Sequence, residues 1–150
     1  MVVNFSKFGF NLAKQRAMLA VLLGMAGLTA CHKQPPTERP PVALPVYSQG
    51  DATLGKTAYE KQCKQCHSLE VGSNNKGPQL SRIYGAKVAL LNDYQYTDAL
   101  KNSQIVWTAE QLERYIANPK QAVNGTRMRS EPIADAKTRQ DIIAYLSTLK

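Results

Sequence analysis

Cys63-Lys64-Gln65-Cys66-His67 places two thiols three residues apart and an imidazole directly after the second. Four chemistries use such a pair: a dithiol redox couple, half of a zinc site, a structural disulfide, and attachment of a porphyrin through two thioethers. A redox couple of the thioredoxin kind sits between a strand and a helix, and no alternating strand pattern flanks these residues. Zinc needs a second pair of ligands, and beyond the motif the chain offers only Cys31 and His32, both near its N-terminal end. The porphyrin reading uses all three residues. The thiols add across the two vinyl groups of one haem, and the histidine held beneath the ring presents a nitrogen to the iron. The sequence therefore predicts one covalent haem c on Cys63 and Cys66, with His67 as a metal ligand.

Haem iron has a second axial position. Of the four methionines, Met1, Met18 and Met25 fall in a leading segment read below as removed, which leaves Met128 as the one thioether. Its neighbours Asn124-Gly125-Thr126-Arg127 make a polar loop, a poor place for a methionine that merely fills core space. Met128 is the expected second metal ligand, with His32 and the lysines as alternatives. With both axial positions taken there is no open coordination site for a substrate or for oxygen. The expected function is one-electron transfer rather than catalysis, with no small-molecule substrate. A thioether ligand and an apolar pocket both raise the potential relative to two imidazoles. The competing functions are a peroxidase-like or gas-sensing haem protein with a displaceable Met128, and an assembly module of a larger complex.

Short helices must position these groups. Leu54, Ala58, Tyr59, Gln62 and Cys63 recur at helical spacing behind Asp51, a cap residue. Thr108-Ala109-Glu110-Gln111 reads as a capping box opening a helix that buries Leu112, Tyr115 and Ile116 and stops before Asn118-Pro119. From Asp135 to Leu149, residues Ile142, Tyr145, Leu146 and Leu149 form one stripe, and a shorter helical turn is expected around Thr97 to Lys101. No run alternates with period two over six residues, so the fold class expected for residues 51–150 is all-α. A domain of about 100 residues has a small core, and a covalently held haem would supply the apolar nucleus it lacks.

The first 50 residues differ in kind. Residues 1–30 contain no acid, carry Lys7, Lys14 and Arg16, and continue as the apolar run Ala17 to Leu28, the layout of a secretory signal. Twelve helical residues rise only about 18 Å, short of a hydrocarbon core of about 30 Å. Leu28-Thr29-Ala30-Cys31 resembles the bacterial lipobox, which implies lipidation of Cys31 and an anchor of two or three acyl chains. His32 is not the aspartate that favours inner-membrane retention, which points to the outer membrane over the inner. Residues 31–50 hold five of the eight prolines and read as an extended stalk on the periplasmic side. With Lys7, Lys14 and Arg16 set aside, 16 basic residues face 11 acids. Residues 51–150 hold 14 against 10, with the signs interspersed. Basic residues gather no further than close pairs such as Arg127 and Arg129, so nucleic acid is not an expected partner.

Residues 51–150 resemble a class I cytochrome c of the mitochondrial type. The likeness runs from Gly55 and Tyr59 through the attachment motif to Gly77-Pro78-Gln79-Leu80, Tyr94-Gln95-Tyr96-Thr97-Asp98-Ala99, Trp107, Leu112 to Lys120, Gly125-Thr126-Arg127-Met128 and Asp141 to Leu146. The resemblance implies a cytochrome c fold in which the terminal helices cross at Gly55. It implies that the Pro78 carbonyl accepts the second imidazole N–H of His67, that Tyr96 and Trp107 bond a haem propionate, and that Tyr115 lies near the Met128 sulfur. It also implies redox partners: a quinol-oxidising complex or dehydrogenase as donor, and an oxidase or peroxidase as acceptor. Four positions depart from the pattern. Ala86 replaces an arginine that usually helps neutralise a propionate, and Leu100, Asn124 and Ser130 stand where the family has asparagine, proline and an aromatic residue.

Overall fold

Five helices and the loops between them make up residues 37–150, the part of the chain that the computed structural model describes. The expected signal segment and Cys31 lie outside the described residues. The helices are α1 (Ala52–Gln62), α2 (Asp98–Asn102), α3 (Ala109–Ala117), α4 (Pro119–Ala122) and α5 (Ala136–Ser147). Among the described residues there is no strand, only an isolated antiparallel bridge between Lys87 and Val106, and no helix long and apolar enough to cross a membrane.

Each helix begins where a short polar side chain can take up free backbone N–H groups. The Asp51 carboxylate accepts from Thr53 N and Leu54 N, Thr97 from Leu100 N, Thr108 from Gln111 N, Asn118 from Gln121 N and Asp135 from Thr138 N. Asn118-Pro119 ends α3, as the sequence predicts, and also begins α4, which the sequence reading did not include. Asn118 has extended backbone, its amide still bonds the Arg114 carbonyl, its side chain caps the next turn, and Pro119 occupies the first helical position, where no N–H is needed.

The core is one cluster: Tyr59, Ile83, Trp107, Leu112, Tyr115, Ile116, Val123, Ile142, Ile143 and Leu146. Helix α5 is buried over more than the expected stripe, since Ile143 and Ala144 are covered along with Ile142 and Leu146. In α1 the buried residues are Gly55 and Tyr59, whereas Leu54 is 55% exposed. Helices α1 and α5 cross at Gly55, so closely that a Cβ there would lie 1.8 Å from the Asp141 carbonyl oxygen. Beside the crossing the rings of Tyr59 and Tyr145 pack with centroids 5.6 Å apart.

Asp141, nearly covered within α5, pins the start of α1: its Oδ1 accepts from Asp51 N at 2.7 Å and pairs with Lys137. Burial pushes this carboxyl up, but the Asp51 amide and Lys137 together outweigh it and hold the group below its ordinary value. Asp141→Ala strands the Asp51 amide and should cost about 2 kcal/mol. Because the folded-state value is depressed, the carboxylate's contribution is complete above the ordinary carboxylate range, about pH 4, and is lost as pH falls through the folded value. Denaturant unfolding at a series of pH values should therefore give a constant gap between wild type and variant near neutrality that narrows only in acid.

The expected stalk is different over its described part. Residues 37–50 have no regular secondary structure, yet they lie on the helical domain as a strap. Val42 and Leu44 cover Gly85, Tyr47 N donates to Ser147 Oγ at 2.9 Å, Lys150 Nζ donates to the Leu44 carbonyl, and Glu38 pairs with Arg82. Arg39 is buried, with 2% of its surface exposed. Prolines keep a chain extended, but they do not keep it in solvent. Here the residues between them carry the side chains that dock.

Candidate haem-binding site

The attachment motif directly follows α1, with Cys63 as its C-cap. Cys63 N donates to the Tyr59 carbonyl, and the Cys63 carbonyl then accepts from both Cys66 N and His67 N at 3.0 Å, winding the motif into one turn. Both cysteines are free thiols, half-buried. Burial, reinforced by the neighbouring Cys66, pushes the Cys63 thiol up to about 11. A thiol protonated at neutral pH is a poor nucleophile for disulfide exchange.

His67 is fixed from three directions. Its Nδ1 lies 2.7 Å from the Pro78 carbonyl oxygen, and a carbonyl can only accept, so the ring proton is on Nδ1 and the lone pair is on Nε2. The Tyr59 hydroxyl donates to the His67 carbonyl at 2.7 Å. Gly77 lies against the ring, where a Cβ would come within 2.3 Å of His67 Cε1, so the 77–78 loop reaches the imidazole only because residue 77 has no side chain. Gly77 N bonded to the Cys66 carbonyl and Leu80 N bonded to the Ser68 carbonyl hold that loop in place. Burial drives the His67 imidazole below its ordinary value against the pull of Pro78, and Arg39 adds to the lowering. The ring is therefore neutral, the form in which Nε2 can bind a metal.

Met128 belongs to a second group, after α4. The Thr126 hydroxyl meets Tyr115 Oη at 2.5 Å and accepts from Met128 N at 3.3 Å, so one threonine ties the methionine loop to α3. The structure thus joins Tyr115 to Met128 through Thr126, a link that the sequence reading did not include. Cys63 and Met128 pack against the same core cluster. Trp107 is buried beside Tyr115, with ring centroids 4.9 Å apart, and its backbone is held by bonds to Gly85 and Ala86. Tyr96 stacks edge-on with Tyr94, and its phenol neighbours Arg39.

Two further polar residues sit here that sequence reading missed. Gln79 is fully buried and its Nε2 has no hydrogen-bond partner. Arg39 NH1 donates to the Gln79 carbonyl, Gln79 Oε1 and the Ser81 carbonyl at 2.8, 3.2 and 2.9 Å. The departure at Ala86 is the one sequence signal that bears on Arg39, because it leaves the domain short of a cation.

These residues fit a haem on the evidence of their own chemistry. Two unpaired thiols precede an imidazole whose Nδ1 is committed to Pro78, which leaves the lone pair on Nε2. A thioether is held in a polar loop over the same core, and a buried amide is left with a donor to give. That combination defines a covalent haem protein of the thioether-linked class. Comparison with known proteins agrees. The family profile described as Cytochrome c matches residues 52–150. Cytochrome c of Euglena viridis is 45% identical over 101 residues, covering 67% of this chain and 99% of that protein. The cyt cy of Rhodobacter capsulatus is 38% identical over 105 residues, covering 70% of this chain and 52% of that protein. Among solved structures, cytochrome cH from Methylobacterium extorquens superposes with a TM-score of 0.62 at 42% identity, covering 66% of this chain and 99% of that one. The chain belongs to the cytochrome c family: it has the all-helical cytochrome c fold, carries haem c through Cys63 and Cys66, and is an electron carrier, not an enzyme.

Proposed function

We propose that this cytochrome is a lipid-tethered carrier on the periplasmic side of a bacterial membrane, passing single electrons between respiratory partners. In this reading His67 and Met128 are the two axial ligands, and Pro78, Tyr96, Trp107 and Tyr115 complete the surroundings of the haem. The observation that carries it is the His67 imidazole: its Nδ1–H donates to the Pro78 carbonyl, which leaves the Nε2 lone pair for a metal, in the residue directly after two free thiols. When bound, the haem supplies a one-electron ferric–ferrous couple. The protein's part is to hold its ligands still, so that little rearranges when the charge changes. Pro78 fixes the plane of the imidazole and raises its basicity. Thr126 and Tyr115 restrain the loop that offers the sulfur, and the buried Trp107 and Tyr115 keep water from the core side.

Partner contact is assigned to the side of the molecule where Lys76, Tyr94, Gln95, Arg127 and Arg129 line a shallow depression. The Tyr94 hydroxyl donates to the Lys76 backbone carbonyl and Arg127 to the Gln95 carbonyl, so the Arg127 cation and the Lys76 backbone are fixed on a surface that also carries Arg129. Such a surface suits fast, weak encounters with acidic faces on a quinol-oxidising complex or a dehydrogenase as donor and an oxidase or peroxidase as acceptor. Electron transfer from purified candidates should slow steeply as salt is raised.

The tether rests on Cys31. Between Cys31 and Thr37, the first described residue, there are six residue steps, which can span at most roughly 20 Å. The strap therefore leaves the cytochrome close to its membrane. Cys31→Ser should move the haem-bearing protein from the membrane fraction to the soluble periplasmic fraction with its visible spectrum unchanged. If the variant stays with the membranes, the lipid anchor is wrong. Density separation of inner and outer membranes then tests the outer-membrane placement.

A further inference from the structure

Arg39 presents a charge that the structure leaves unbalanced. It lies 2% exposed between Glu38 and Pro40 of the strap, ahead of the residues matched by the family. Its bonds run to two backbone carbonyls and one amide oxygen, all neutral acceptors. Among the described residues no carboxylate stands within ion-pair distance of it. Asp93 is its nearest acid influence, and that carboxylate faces Thr37 N. Burial pulls the guanidinium below its ordinary value, which is the mark of a cation removed from water without full compensation. Such burial is costly unless an anion is supplied.

Two further donors lie near Arg39. Gln79 accepts from it through Oε1 and leaves Nε2 buried with nothing to bond, and the Tyr96 phenol lies beside the guanidinium. A buried cation, a buried amide donor and a half-buried hydroxyl beside them suit a carboxylate. The haem carried at Cys63 and Cys66 brings two carboxylates of its own. At position 86 the side chain is a buried methyl group, so the cation cannot come from there.

We propose that Arg39 is the counter-cation of a haem propionate, delivered by the strap, with Gln79 Nε2 donating to the same carboxylate. The strap is then part of the haem site and not a passive tether. Its ion pair between Glu38 and Arg82, its apolar contacts on Gly85 and its bond from Tyr47 to Ser147 serve to set Arg39 in register. The charged and titratable groups facing the guanidinium are Tyr96, Asp93 and His67. None of them supplies a direct ion pair.

The test uses the full-length holoprotein with the propionate carboxyls labelled with carbon-13 through the haem precursor. In the wild type, one of the two propionates should remain ionised well below the ordinary carboxylate range. In Arg39→Gln the acid constant of that group should weaken at least tenfold. The midpoint potential should fall, because a positive charge that disfavoured ferric iron is gone. It should also begin to fall with rising pH as the propionate ionises. Arg39→Lys, which keeps the charge with fewer donors, should lie between. Two ordinary propionate titrations in the wild type would overturn the proposal. So would an Arg39→Gln protein with unchanged titration and potential whose strap is merely cut faster by protease, since that is the behaviour of a structural arginine. Should Arg39→Gln yield no holoprotein, the wild-type titration decides alone. Wild-type protein purified without haem would overturn the cofactor itself, whereas full haem content with ordinary propionates overturns only the role given to Arg39.

Discussion

Gly55→Ala is expected to destabilise the protein by about 3 kcal/mol, reversing the sign that helix propensity predicts. In an exposed helix interior the same change stabilises by up to about 1 kcal/mol, because alanine loses less backbone entropy. Here the added Cβ would sit 1.8 Å from the Asp141 carbonyl oxygen and 2.4 Å from its carbon. Backbone atoms of a buried helix cannot step aside as a flexible side chain can, so α1 and α5 must move apart by more than an ångström. That shift stretches the Asp51–Asp141 bond and opens the contact between Tyr59 and Tyr145. Overpacking typically costs 1–3 kcal/mol, and this site lies at the upper end because the strain is shared by two helices and a capping bond. Against a total stability of about 5–15 kcal/mol, the loss is large. Since the attachment motif directly follows α1 and Tyr59 holds the His67 carbonyl, the yield of haem-loaded protein should fall with the unfolding midpoint. A variant as stable as wild type in denaturant would mean that the helices do not cross as closely as described.

What could be read from the sequence was local or covalent in origin. Asp51, Thr108 and Asp135 announce helix starts because a cap works through atoms two or three residues away, and those are visible in the chain order. The attachment motif is legible for the same reason: its three groups act within one turn. Asn118-Pro119 was legible in only one direction. A proline forbids continuing the helix behind it, but it equally favours starting the one ahead, and α4 uses the second property. Arg39 was not legible because its role depends on a surface assembled from residues 79, 81 and 96, some 40 or more positions away. Proline-rich composition gives no information on whether such a segment is docked. Thr126 was missed for a related reason. The carried-over reading placed Tyr115 near the Met128 sulfur and assigned nothing to the threonine hydroxyl that Tyr115 bonds.

Met128→Ala should produce the largest functional change of any single substitution outside the attachment motif. The mature chain as read from the sequence has no other thioether, so the substitution leaves the iron with an exchangeable or non-native sixth ligand. Axial ligands move haem potentials over a range of about 0.8 V, and loss of a sulfur that favours ferrous iron should lower this one by an amount on the order of a tenth of that range or more. The sulfur-to-iron charge-transfer band of the ferric protein should vanish, and imidazole or cyanide should bind at least ~10-fold more tightly, since about 1.4 kcal/mol of competition is enough for that. Thr126→Val separates the ligand from the loop that presents it. The valine keeps the shape but cannot bond Tyr115 or Met128 N, so the sulfur stays available on a looser loop. Its charge-transfer band should persist with a small change in potential, while the rate of binding external ligands rises. If Met128→Ala left band, potential and external-ligand affinity unchanged, the sulfur would not be a ligand. If Thr126→Val behaved like Met128→Ala, the threonine would be holding the ligand in place outright instead of restraining its motion.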